Sequence, residues 1–194
     1  MNLADTRLKQ LDNPSLTQNE RVLLRCQFAA EFMHAGQYEA AREALGELWQ
    51  GVGTRPELKG LTPYATAEVL LQCGVLSSWL GSIRHLLGAQ EKAKDLISEA
   101  LRLFQSQGQP SKASEAQYEI SRCYFRLGAY DEVRVVLEEA LDRVGEKDTN
   151  LKAKILIRQT LVELVTGRYH DAWNILEQAR EFFEASGDTL KGKW

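Results

Sequence analysis

Residues Ser121–Leu141 read SRCYFRLGAYDEVRVVLEEAL, and 39 residues further on Thr160–Arg180 reads TLVELVTGRYHDAWNILEQAR. Each stretch has apolar residues at helical spacing, a break at glycine, a tyrosine two residues later and a second helical pattern. Glycine tolerates the positive φ that stops a helix tightly, so each stretch reads as helix, turn, helix. The same frame surrounds Gly36 in Ala30–Leu45 (AEFMHAGQYEAAREAL) and Gly88 in Gly81–Leu101 (GSIRHLLGAQEKAKDLISEAL). The four glycines are 52, 40 and 39 residues apart. A period near 40 with two helices per unit describes stacked helical hairpins.

Positions within the frame have a packing logic. Two residues after the glycine stands Tyr38, Tyr130 or Tyr169, with Gln90 as the exception, and such a ring fills the gap inside its own hairpin. Three further on is Ala41, Ala93, Val133 or Ala172, small enough for close helix crossing. Four beyond that is Leu45, Ile97, Leu137 or Leu176, the larger contact on the same face. Seven residues before the glycine lies Ala29, Gly81, Ser121 or Thr160, mostly small.

Outward from the repeat, the four prolines, Pro14, Pro56, Pro63 and Pro110, all fall between periodic segments, as an all-helical chain requires. No run alternates β-branched and polar residues, so no strand is predicted. The predicted helices cover 17–35, 38–50, 63–87, 89–106, 111–127, 130–144, 149–166 and 169–185, with a short leading helix over 3–11. The fold class is therefore all-α, a right-handed α-solenoid of about four helix-turn-helix repeats. Its units, 17–50, 63–106, 111–144 and 149–185, form one repeat domain over 1–194. Between Trp49 and Tyr64, WQGVGTRPELKGLTPY reads as a loop long enough to carry a function. Gly74 and Gly81 inside the next helix read as close-packing sites, since glycine is costly in an exposed helix interior. Phe104–Ala116 (FQSQGQPSKASEA) and Phe183–Trp194 (FEASGDTLKGKW) share a frame. The last residues thus read as the opening of another repeat, in a piece of a longer protein or at an end covered by a second copy.

Composition narrows the function. The chain of 194 residues is 44% apolar and 26% charged, with a net charge of −3, as in a folded domain. The acidic balance argues against a nucleic-acid partner held by bulk electrostatics. No apolar run is long enough for a membrane span, and MNLADTRLKQLDNPS lacks the apolar core of a secretory signal, which points to the cytoplasm. Cys26, Cys73 and Cys123 are odd in number, widely spaced and set in apolar patterns, as buried thiols are. The three histidines have no metal-ligand spacing. There is no phosphate-binding glycine loop, zinc-protease histidine pair or serine elbow. Cys26 and His34 stand eight apart, about 12 Å along a helix, too far to share a proton. The chain reads as a non-enzyme with no cofactor.

The frame resembles the tetratricopeptide-repeat (TPR) family. The likeness rests on Leu80, Gly81, Gly88, Ala93 and Ala100 in the second unit, on Tyr124, Gly128, Tyr130 and Ala140 in the third, and on Gly167, Tyr169, Ala172 and Ala179 in the fourth. Val133 and Gln90 depart from it, and the units exceed the usual length of about 34 residues. In that length they resemble the arrays of large bacterial signalling ATPases and transcription activators, which receive a ligand or partner protein. The resemblance implies a protein or peptide partner, bound on the concave wall built by the first helix of each pair. Carried over residue by residue, the wall comprises Cys26, Ala30, Met33 and His34, then Ser78, Ser82 and His85. It continues with Tyr118, Arg122, Phe125 and Arg126, then Lys154, Ile157, Leu161 and Leu164. Arg122 and Arg126, four apart on one face beside Tyr118, suit a partner's carboxylate. The family's carboxylate-clamp asparagines have no counterpart at equivalent places. Two alternatives stand beside this reading. One is a ligand-sensing helical domain of a bacterial transcriptional or signalling regulator, with a closed cavity lined by Trp79, His85, Tyr118 and Phe125. The other is a self-association module forming a homo-oligomer through a C-terminal edge with Trp173, Trp194 and the apolar parts of 149–166.

Overall fold

A computed structural model describes residues 9–145 and 148–186 of the chain. Among them are eight α-helices and no strand: α1 (Gln18–His34), α2 (Tyr38–Leu45), α3 (Pro63–Ile83), α4 (Ala89–Ser106), α5 (Pro110–Leu127), α6 (Tyr130–Arg143), α7 (Thr149–Val165) and α8 (Tyr169–Ser186). Consecutive helices pack in pairs, α1 on α2, α3 on α4, α5 on α6 and α7 on α8. The fold is an all-α helical repeat. The chain divides into two compact units, one ending at Gln107 and one starting at Gly108. The expected leading helix is, where described, a single 3₁₀ turn at Lys9–Asp12. The expected opening of a further repeat at 187–194 lies outside the described residues.

Helix boundaries follow local chemistry. Thr17 and Glu20 form a reciprocal capping box at the start of α1, the threonine side chain accepting from the Glu20 amide and the glutamate accepting from the Thr17 amide. Thr62 caps α3, with Pro63 in the first helical position. The helix expected over 38–50 stops at Leu45, because Gly46 turns to φ +56 and the chain tightens into a 3₁₀ turn. A side chain at Gly46 would collide with the Arg25 guanidinium, which donates to the Ala44 carbonyl.

The turns correct the glycine frame in one place. After α1, α5 and α7 the left-handed residue is Gly36, Gly128 or Gly167, and the next amide donates back to the carbonyl five residues earlier. After α3 that role falls to His85 at φ +52, with the Leu86 amide on the Gly81 carbonyl. Gly88, also left-handed, follows three residues later as the N-cap of α4. The second hairpin thus has a longer turn, and its helix ends at Ile83 rather than 87.

In the first unit α3 is the axis, packed against α1, α2 and α4. It buries apolar side chains on nearly its whole circumference, among them Val69, Leu70, Leu71 and Leu76. Gly74 and Gly81 are close-packing sites, as their positions in the sequence predict: a Cβ on Gly81 would lie 2.3 Å from the Ala89 Cβ, and one on Gly74 2.5 Å from Ile97. The long loop folds back over this hairpin. Trp49 is buried with its indole N–H donating to the Thr54 carbonyl, Pro56 is buried, and Arg55 grips Glu99 of α4 through two bonds of 2.7 and 2.8 Å.

The second unit has its own core, in which Val133, Leu137, Ala140, Ile155 and Val162 are fully buried. Its helices α6 and α7 are also tied by charge. Glu163, buried in α7, receives two bonds from Arg134 of α6 at 2.7 and 3.0 Å and a further ion pair from Arg168 at 3.3 Å. Burying a carboxylate is costly unless it is paired, and these partners offset that cost.

Candidate binding surface

The first helices of successive hairpins touch within each unit, α1 on α3 and α5 on α7. Their remaining faces are where the expected wall residues fall, and the two units treat them differently.

In the first unit much of that set belongs to the packing. Cys26 and Met33 are buried in the core. Ser78 is buried too, because it faces α4 and not solvent: its hydroxyl donates to Gln90 Oε1 at 2.7 Å. The Gln90 amide nitrogen donates in return to the Ser78 carbonyl and to the Ser82 hydroxyl. This polar clasp explains why glutamine replaces tyrosine in this hairpin. Ala30 is half-buried, while His34 and His85 are exposed at the turn ends of α1 and α3.

The tyrosines divide in three ways. Tyr130 packs edge-on against Phe125 of its own hairpin, with centroids 5.6 Å apart, as expected. Tyr38 instead stacks on Trp79 of the following hairpin at 5.2 Å. Tyr169 is 69% exposed and fills no gap within its hairpin.

In the second unit the wall takes form on α5 and α7. Arg158 of α7 lies over the Tyr118 ring, 4.5 Å from its centroid, and donates to the Tyr118 hydroxyl at 3.0 Å. This holds a cation and an aromatic ring in fixed orientation. Along the same two helices Phe125, Arg126, Lys154 and Ile157 are half-buried and Leu161 is exposed. Arg122 does not join Arg126 as an open pair. It is buried and held by Glu119 at 2.6 Å, because its place on α5 turns it into the packed side of the helix. Arg158 went unnoticed in the sequence, although it lies four residues after Lys154 and three before Leu161, on their face of the helix.

A second feature lies in the first unit, where the loop meets α3 and α4. Gly53, Thr54, Arg55, Ser77, Lys92, Asp95, Leu96 and Glu99 line an open cleft of about 210 Å³. The charges in it balance, and Arg55 holds the Glu99 carboxyl below its ordinary range by hydrogen bonding. None of the four residues expected to line a sensing cavity borders this cleft. Cys26, Cys73 and Cys123 are buried thiols outside any disulfide, and burial pushes the Cys73 thiol well up, which keeps it protonated. Among the described residues no helix is long and apolar enough to cross a membrane, and no group of three or more His, Cys, Asp or Glu is arranged to hold a metal ion.

The class defined by these observations is the all-α helical-repeat protein. No family model matches the chain, and no curated protein does. Among solved structures it is similar to the crystal structure of BtubC (BKLC) from P. vanneervenii, with a TM-score of 0.57 at 16% identity, over 99% of this chain and 75% of that one. At that identity the likeness is one of fold.

Proposed function

We propose that this chain is a non-enzymatic, TPR-like scaffold that binds a protein or peptide on the α5–α7 wall. The observation that carries the reading is the Tyr118–Arg158 pair, a preset aromatic and cationic platform between two first helices. Lys154, one turn before Arg158, and Arg126, two turns along α5 from Tyr118, add positive charge to these helices, and Ile157 and Leu161 add apolar surface. A segment with one or two apolar anchors and flanking carboxylates complements this arrangement: the anchors bury against the aliphatic residues and the acids meet the cations. Arginine suits the acidic contact because its planar fork holds a carboxylate by two bonds.

The test is selection of peptides from a random display library on the immobilised chain, followed by calorimetric titration of the winners. Selected sequences are expected to be rich in Asp and Glu next to a large apolar residue. Their affinity should fall about tenfold or more, about 1.4 kcal/mol, when Arg126 and Arg158 are both replaced by Ser. Arg122 is left in place because it is buried with Glu119. Selected peptides without acidic residues, or an unchanged affinity in the double variant, would remove the wall from consideration.

A further inference from the structure

The four hairpins share one frame, so each position in the last hairpin has counterparts whose surroundings show what belongs there. Leu45 and Leu137 are completely buried, whereas Leu176 at the same position is 44% exposed. Tyr38 stacks on Trp79 of the next hairpin, whereas Tyr169 is open. Arg134 reaches across to Glu163 of the next hairpin, and its counterpart Trp173 is 63% exposed. A face that elsewhere in the chain meets another helical hairpin therefore meets no further hairpin among the described residues on α8, and in the last hairpin it is more apolar than its counterparts.

Tyr169, Trp173 and Leu176 are spaced i, i+4, i+7, on one side of α8. Leu164 and Val165, both exposed, stand at the turn end of α7 beside the start of α8. Those two continue the Leu161 face of α7, so the α8 face itself, with two rings at about two-thirds exposure and Leu176 at about half, presents on the order of 300 Å² of apolar surface. We infer that this face is an interface between two copies of the chain, paired face to face about a two-fold axis.

Three observations select a second copy in that arrangement. The apolar area of two such faces sums to on the order of 600 Å², and a polar rim along α8 extends it to the lower end of the range of about 1,200–2,000 Å² that stable dimers bury. Among the described residues α1 and α2, at the other end of the chain, expose no large apolar side chain. A contact of this face with α1 and α2 of another copy would thus set it against a polar surface, whereas the isologous contact sets apolar on apolar. The rim along α8 carries both signs, with Glu177 and Arg180 now paired at 3.1 Å within one copy. Exchange of those partners across the axis keeps the charges balanced.

The experiment is size-exclusion chromatography with light scattering on the whole chain over a wide concentration range. The expected species at high concentration has twice the 21.9 kDa chain mass. Trp173→Lys, with helical content checked by circular dichroism, should return it to monomer. Tyr169→Glu serves the same purpose should the first variant lose structure. Leu87→Lys, at a fully exposed apolar residue in the first unit, should leave the dimer intact. A wild-type chain monomeric at every concentration overturns the inference. So does a dimer that persists in the folded Trp173 or Tyr169 variant, or an open-ended series of larger species.

Discussion

The second and fourth hairpins are built on the same frame and live in opposite surroundings. Helix α3 has helices around it, so its glycines are contact points, its Ser78 and Ser82 turn inward to Gln90, and almost nothing of it is left for a partner. Helix α8 packs chiefly on α7, and Tyr169, Trp173 and Leu176, the last at a position that is core in the other hairpins, are exposed. The local sentence of helix, turn and helix is the same in both. What differs is the number of neighbours, and that number decides which apolar residues are structure and which are surface.

The sharpest way to break this comparison uses one frame position twice. Leu137→Ala removes a fully buried side chain and should destabilise by about 2–5 kcal/mol, while Leu176→Ala, half-exposed, should cost less than about 1 kcal/mol. Equal losses in chemical denaturation of the monomer would mean that Leu176 is covered. Next in size is the charge tie between α6 and α7. Arg134→Ala leaves the buried Glu163 with only Arg168, and a loss of about 2–4 kcal/mol is expected. Adding Glu163→Gln to that variant should recover part of the loss, because the carboxylate no longer has to stay charged. Gly81→Ala sharpens the other side of the comparison. The new Cβ meets Ala89 and pushes α3 from α4, costing about 1–3 kcal/mol, partly offset by up to about 1 kcal/mol of helix propensity. A stabilised variant would show that the hairpin has slack there.

The smallest effect is the loop clamp. Arg55 lowers the Glu99 carboxyl below its ordinary value of 4.5. The folded value is therefore below the unfolded one: the stabilisation is present above 4.5 and is lost as pH falls through the lowered folded value. Arg55 is mostly exposed, so less than about 1 kcal/mol is at stake. Fluorescence of Trp49, whose indole bonds the same loop, should change below pH 4.5 in the wild type before the chain unfolds. In Arg55→Ala that change should no longer follow the Glu99 titration. A wild-type profile flat until global unfolding would show that the clamp does not hold the loop.

Much of the fold was legible because helical hairpins announce themselves locally. Apolar spacing placed the helices, proline marked the gaps, and glycine at Gly36, Gly128 and Gly167 marked turns that need a left-handed residue. The frame failed at His85, because a histidine took the left-handed place and Gly88, three residues on, looked like its neighbours' glycine. It also failed at Gly46, whose left-handed φ stops the helix at Leu45, five residues before the expected end. The wall was less legible. Helical periodicity shows which residues share a face, and by that rule Arg158 was there to be found. It does not show which way the face turns, so Met33, Ser78 and Arg122 fell on the packed side.

The sequence by itself determined that this protein is all-helical, that its helices pair through short turns, and which residues recur at each place in the pair. Those are consequences of backbone hydrogen bonding and residue shape within some forty residues. Only the tertiary structure decided that Gln90 clasps two serines, that Arg122 is buried while Arg158 lies half-buried over Tyr118, and that Leu137 is core while Leu176 is not. The reason is that burial belongs to neighbours brought together by folding, and residues at the same place in the frame have different neighbours.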